Sequence, residues 1–143
     1  MEIRTLLIRY DEIGLKGRNR RHFENQLIQN IRHALRGIQN TKIDKIHGRI
    51  LGRVNLVDAE NCVSCLAFVP GIASISIGNS MKPDFEQIAK FGISLIKEKL
   101  KVLGKLKFCV RTRRSNKTFP FTSKEIDFEI GSRIMEALSR KGL

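Results

Sequence analysis

"TKIDKIHGRILGRVNL", Thr41 to Leu56, decides the fold. Two apolar-rich runs, one carrying Ile43 and Ile46 and the other Ile50, Leu51, Val54 and Leu56, flank His47-Gly48, a dipeptide suited to a tight reversal. The stretch therefore reads as a β-hairpin. Upstream, Phe23, Leu27, Ile31, Leu35 and Ile38 recur at helical spacing, with Gly37 near the end of the pattern. Before that helix, "IRTLLIR" (residues 3–9) is apolar and β-leaning, and "YDEIGLKGRN" carries two glycines, as a loop does. Downstream, Asp58 is placed to cap a short helix bearing Cys62, Cys65, Leu66 and Phe68, which should stop at Pro70-Gly71; "IASISIG" follows as another strand. The order β-α-β-β-α-β is the split, ferredoxin-like arrangement, in which helices cover one face of an antiparallel sheet. It accounts for residues 1–78.

"GNSMKPD", Gly78 to Asp84, has the composition of a boundary, and a second domain over 79–143 is expected beyond it. Asp84 with Gln87 resembles a capping box, and Phe85, Ile88, Gly92, Leu95 and Ile96 trace a buried stripe that runs to about Leu103. From Lys105 to Arg113 the residues alternate: Leu106, Phe108 and Val110 to one face, and Lys105, Lys107, Cys109, Arg111 and Arg113 to the other. Thr122 and Glu125 form a second capping box, and Ile126, Ile130, Ile134 and Leu138 carry a last helix to Lys141. This α/β unit has one strand and no visible pairing partner for it, so the domain is expected to be incomplete at its C-terminal end. The fold class is thus α+β.

Charge narrows the function. The 143 residues contain 27 Lys and Arg against 14 Asp and Glu, a formal net charge of +13, which suits a nucleic-acid partner. No apolar run approaches the roughly 20 residues of a spanning helix, and the opening residues turn charged too soon for a secretory signal. A cytoplasmic location with no membrane partner follows as an expectation. Cys62, Cys65 and Cys109 make no even disulfide framework; the single Cys-x-x-Cys has no second pair, and His22, His33 and His47 are scattered. Buried core thiols are expected rather than a metal or redox site.

No phosphate-binding loop for a nucleotide, and no histidine, carboxylate and nucleophile set, is evident, so the chain by itself is expected to be non-catalytic, with no metal and no cofactor. What stands out are two basic loops, each ending at a helix entrance where free N–H groups favour phosphate. The first, "GLKGRNRRHF", offers Lys16, Arg18, Arg20 and Arg21, with Gly14 and Gly17 permitting close backbone approach. The second, "RTRRSNKTFPF", offers Arg111, Arg113, Arg114, Ser115, Asn116 and Lys117, followed by Lys124. Between Lys101 and Lys124 stand eight cations and no Asp or Glu. Such residues can track a phosphate backbone, with Ser115 and Asn116 adding hydrogen bonds.

Three segments carry a family resemblance. "RYDEIGLKGRNRRHFENQLIQNI" (Arg9 to Ile31), "VPGIASIS" and "VRTRRSNKTFPFTSKEI" resemble, in order, the opening signature, the first-domain exit and the THUMP motif of the tRNA 4-thiouridine synthetases, or tRNA sulfurtransferases. Asp11 departs from the glycine expected there. The resemblance implies a ferredoxin-like domain followed by a THUMP domain that binds the acceptor end of tRNA. It further implies that catalysis belongs to a PP-loop domain not present in these residues, which uses ATP to adenylate a uridine before sulfur arrives from a persulfide donor such as a cysteine desulfurase. Some relatives also serve in making the thiazole of thiamine. Two other readings stand beside it: a stand-alone RNA-binding protein with no catalytic partner domain, and an enzyme using Cys62 or Cys65 as a sulfur carrier, which their helical spacing in an apolar segment argues against.

Overall fold

The computed structural model describes residues 2–11, 18–46 and 48–140, with the backbone alone at residue 18. The chain divides into two compact units, Met1–Ser80 and Met81–Leu143. In the first, β1 (Ile3–Tyr10) leads to α1 (Arg18–Ala34), the hairpin β2 (Lys42–Ile46) and β3 (Arg49–Asn55), a 3-10 turn (Leu56–Asp58), α2 (Ala59–Leu66) and β4 (Ile72–Gly78). The strands lie in the order β2-β3-β1-β4, and every neighbouring pair is antiparallel. Placing β3 between β1 and β2 is what splits the first βαβ unit.

The hairpin register pairs Ile46 with Arg49, and Gly48, just before β3, has φ +77°, a conformation that glycine adopts without a Cβ penalty. Alternation then does the rest: Leu6, Ile8 and Tyr10 of β1, Ile43 of β2, and Ile50 and Val54 of β3 turn to one face. They bury against Leu27 and Ile31 of α1 and Ala59, Cys62 and Leu66 of α2. Gly71 (φ +95°) turns the chain into β4, and its missing Cβ leaves room for the Phe23 ring, whose Cζ a methyl group would approach to 2.9 Å.

Two local expectations are met only in part. Asp58 stands at the N-cap of α2, as expected, but its side chain makes no capping bond. α2 also ends at Leu66, where Ala67 N–H returns to Val63 O, so Phe68 lies beyond the helix and is 90% exposed.

The second unit holds α3 (Phe85–Leu103) and α4 (Ser123–Arg140). Asp84 caps α3 by accepting from the Glu86 N–H at 3.2 Å rather than from residue 87. Ala89 and Ile96 of α3 pack with Ile126, Ile130, Ile134 and Leu138 of α4, and Gly92 brings the helices close: a Cβ there would lie 2.8 Å from Ile134 Cδ1. Leu95 falls off the stripe and is exposed; Ile93 and Leu100 pack in its place. Residues 105–114 show the expected alternation of exposure but enter no ladder among the described residues. Side-chain packing alone produces that alternation, whereas a strand needs a partner for its N–H and C=O groups.

Candidate nucleic-acid interface

The basic segment of the second unit begins where Gly104 (φ +73°) ends α3, its N–H on Leu100 O at 2.9 Å. Leu106, Phe108 and Val110 then pack against the core of the unit. That anchoring forces the residues between them outward, so Lys105, Lys107, Cys109, Arg111 and Arg113 are all exposed. In an extended chain this two-residue repeat advances about 6.6–6.8 Å per cation. A shallow groove of about 470 Å³ runs alongside, with Ile88, Phe91, Phe108, Lys107 and Arg111 among its lining residues.

Past Arg113 the chain folds on itself. Asn116 Oδ1 accepts from the Thr118 N–H at 3.0 Å and from its hydroxyl, and the Phe119 N–H donates to Asn116 O at 3.4 Å. Phe119 packs into the core with its ring 6.0 Å from Phe121, which meets Phe85 edge-on at 5.0 Å. These rings fix the descending side of the loop and leave Ser115, Asn116 and Lys117 exposed at its tip. Thr122 Oγ1 then accepts from the Glu125 N–H at 3.1 Å, completing one half of the expected capping box and starting α4, with Lys124 exposed in the first turn. Among the described residues no carboxylate pairs with Arg111, Arg113, Lys117 or Lys124. Arg114 differs: it is half-buried, and its Nη1 donates to Phe119 O at 3.2 Å.

In the first unit, Lys16 lies outside the described residues, while Arg18 opens α1, whose first turn carries no acid. Arg21 is exposed, but Arg20 pairs through Nε with Glu24 at 3.4 Å. Sequence reasoning took Glu24 for an acid beside the first loop and passed over its burial. It is only 4% exposed, accepts from the Tyr10 hydroxyl at 2.8 Å and meets Lys45 Nζ at 2.8 Å. Burial alone would push its carboxyl up; the hydrogen bonds from Lys45 and Tyr10 and the charges of Lys45 and Arg20 outweigh that and hold it below the usual 4.5. A signal was available, since Glu24 stands three and seven residues before Leu27 and Ile31, on the apolar stripe of its helix.

The three cysteines are free. Cys62 is buried, and burial, with Asp58 and Cys65 adding to it, pushes its thiol up to about 11. Among the described residues no three His, Cys, Asp or Glu side chains are grouped to hold a metal ion, and no helix is long and apolar enough to cross a membrane.

Fold and site together define an α+β chain of two units, a helix-covered antiparallel sheet and a two-helix unit, with unpaired cations ahead of a helix entrance. Residues 5–76 match the ThiI ferredoxin-like domain and residues 82–142 the THUMP domain. The chain belongs to the ThiI ferredoxin-like domain family, here followed by a THUMP domain.

Among curated proteins it is 39% identical to a probable tRNA sulfurtransferase of Caldanaerobacter subterraneus, over 92% of this chain and 33% of that protein. It is 40% identical to one from Thermococcus kodakarensis, over 92% of this chain and 35% of that protein. The chain thus spans about a third of the length of these relatives. Among solved structures, PH1313 from Pyrococcus horikoshii superposes with a TM-score of 0.81 at 34% identity, covering 93% of this chain and 44% of that one. A 4-thiouridine synthetase, crystallised as an RNA complex with bound ATP, superposes at 0.70 and 30% identity, covering 96% of this chain and 34% of that one.

Proposed function

We propose that this chain is the tRNA-binding part of a tRNA sulfurtransferase that makes 4-thiouridine. It holds the acceptor end of tRNA for a PP-loop domain, outside these residues, that uses ATP to adenylate the target uridine. Sulfur would then come from a persulfide donor such as a cysteine desulfurase, in the cytoplasm; a further part in making the thiazole of thiamine belongs to the same reading.

The observation that carries the reading is the set of exposed cations Arg111, Arg113 and Lys117, free of carboxylate partners among the described residues, on a loop braced by Phe119 and leading into α4. Phosphate neutralises such a row without demanding a base sequence. The names of the relatives favour this reading over a stand-alone RNA-binding protein.

The test is a titration of the chain with tRNA across salt concentrations. Binding should weaken with a log-log slope of roughly −0.7 to −0.9 per phosphate contact, and R111A/R113A/K117A should reduce that slope by about two to three. Removing the terminal nucleotides of the acceptor should weaken the parent more than this variant. A variant folded by circular dichroism that keeps the parental affinity and slope overturns the proposal; equal losses on end removal overturn its acceptor-end part.

A further inference from the structure

The side of α1 turned to water is unlike that of the other helices. Leu27 and Ile31 pack into the core, and His22, Gln26, Gln29 and His33, spaced four, three and four residues apart, form an exposed stripe on the side away from it. From Asn19 to Ile38 the one acid is Glu24, and that residue is buried. α1 therefore shows water no carboxylate. The other three helices do: Glu60 on α2, Glu86 and Glu98 on α3, and Glu125 and Glu136 on α4 are exposed. On α4 the acids meet cations, Arg133 Nε standing 2.7 Å from Glu129 Oε1. Such pairs commonly lace a solvated helix face. On α1 the corresponding contacts are between amides or between bases: Gln26 Nε2 donates to Asn30 Oδ1 at 3.0 Å, and Arg36, just past the helix, sets Nη1 2.8 Å from His33 Nε2.

That composition selects a partner. Carboxamide, guanidinium and imidazole each carry an N–H to donate, and an imidazole keeps one in either protonation state. No acid on this face repels a phosphate. The carboxamides also accept, so Gln26 and Gln29 match a ribose 2′-hydroxyl, which is donor and acceptor at once. From His22 to His33 the stripe runs about 16 Å along a straight helix. An acidic protein surface would be met by cations alone and would leave the carboxamide acceptors unused.

We propose that the outward face of α1, formed by His22, Gln26, Gln29 and His33 with Arg36 beyond them, is a second RNA surface that lies along the ribose-phosphate backbone of the tRNA stem. Gln26 and Gln29 take 2′-hydroxyls there. The inference rests on the tRNA-binding reading and adds to the 111–117 loop a surface that reads sugar as well as charge.

The experiment places one negative charge at either of two positions. Q29E puts a carboxylate on the stripe. S74E puts one on β4, where exposed Ser74 pairs with Arg9 on the sheet face that the helices leave uncovered. The two variants have the same net charge. In titrations with tRNA, Q29E should weaken binding roughly tenfold and S74E no more than about twofold, because only the first sets like charge against phosphate. Q29K, the opposite change at the same position, should tighten binding and steepen its salt dependence. Equal losses in Q29E and S74E, or a Q29K that binds no tighter than the parent, overturn the surface.

A neutral arm tests the hydroxyl contacts. The parent should prefer an RNA stem to a DNA stem of the same sequence. Q26A/Q29A should bind the RNA roughly fivefold more weakly with an unchanged salt slope, since no cation is lost, and should bind the DNA as the parent does. Equal losses on both stems, or none on RNA, overturn the part given to Gln26 and Gln29. Circular dichroism confirms that each variant is folded. A chain whose tRNA binding is lowered in R111A/R113A/K117A but indifferent to Q29E and Q29K fails this inference alone; a parent that binds no tRNA fails the functional reading, and this surface with it.

Discussion

Tyr10, at the end of β1, donates its hydroxyl proton to Glu24 on α1 at 2.8 Å, and the same carboxylate meets Lys45 of β2 at 2.8 Å. One buried anion thus ties together three elements that the chain visits in turn. Its folded carboxyl sits below 4.5, so the stability it contributes is fully present above the unfolded value and is lost as pH falls through the folded one. Denaturant melts from pH 7 down to pH 3 should show this loss below about 4.5 in the parent, and a shallower decline in E24Q. E24A should cost about 1–3 kcal/mol at pH 7, because Tyr10 and Lys45 lose their shared acceptor. Identical acid limbs for parent and E24Q would remove Glu24 from this role.

Gly71 offers a backbone test of the first unit. At φ +95° a Cβ is strained, and here it would also press on the Phe23 ring, so G71A should cost about 1–3 kcal/mol. Gly37 has no positive φ, and nothing lies within 4 Å of where an alanine methyl would stand. It should accept alanine with a change of no more than about 0.5 kcal/mol in either direction. Urea melts of the two variants check the contrast; equal effects would contradict the turn geometry.

Hydrogen exchange should separate strand from strand-like segment. Amides of Leu6 and Ile8 lie in β1, between two paired neighbours, while residues 105–114 have no ladder among the described residues. The latter should exchange roughly a hundredfold or more faster at neutral pH. Comparable protection would show that the 105–114 amides have partners in solution.

The cysteines should react in an order set by access and charge. Cys109 is exposed, Cys65 half-buried, and Cys62 buried with its thiol at about 11, so alkylation at pH 7.5 should label Cys109 first and Cys62 last. Mass spectrometry of timed samples reads the order. Early labelling of Cys62 would place it outside the core.

What the sequence determined by itself had a short period or a short reach. The hairpin at residues 41–56, the helical stripes of Leu27 and Ile31 and of Ile126 to Leu138, the alternation of 105–113, and the Thr122 cap all depend on residues within a few positions of one another. The row of cations was legible for the same reason, since net charge along a loop is a local sum. Tertiary structure decided which of those cations face water and which serve the fold. Arg20 is drawn to Glu24, whose burial is tolerated because Tyr10 and Lys45 arrive from 14 residues before it and 21 after it. Arg114 turns inward because Phe119 O awaits it across a loop that Asn116 and the packed Phe119 ring close. A side chain's charge is a property of its residue, but the direction it points is set by the partners that offset its desolvation, and those come from distant parts of the chain.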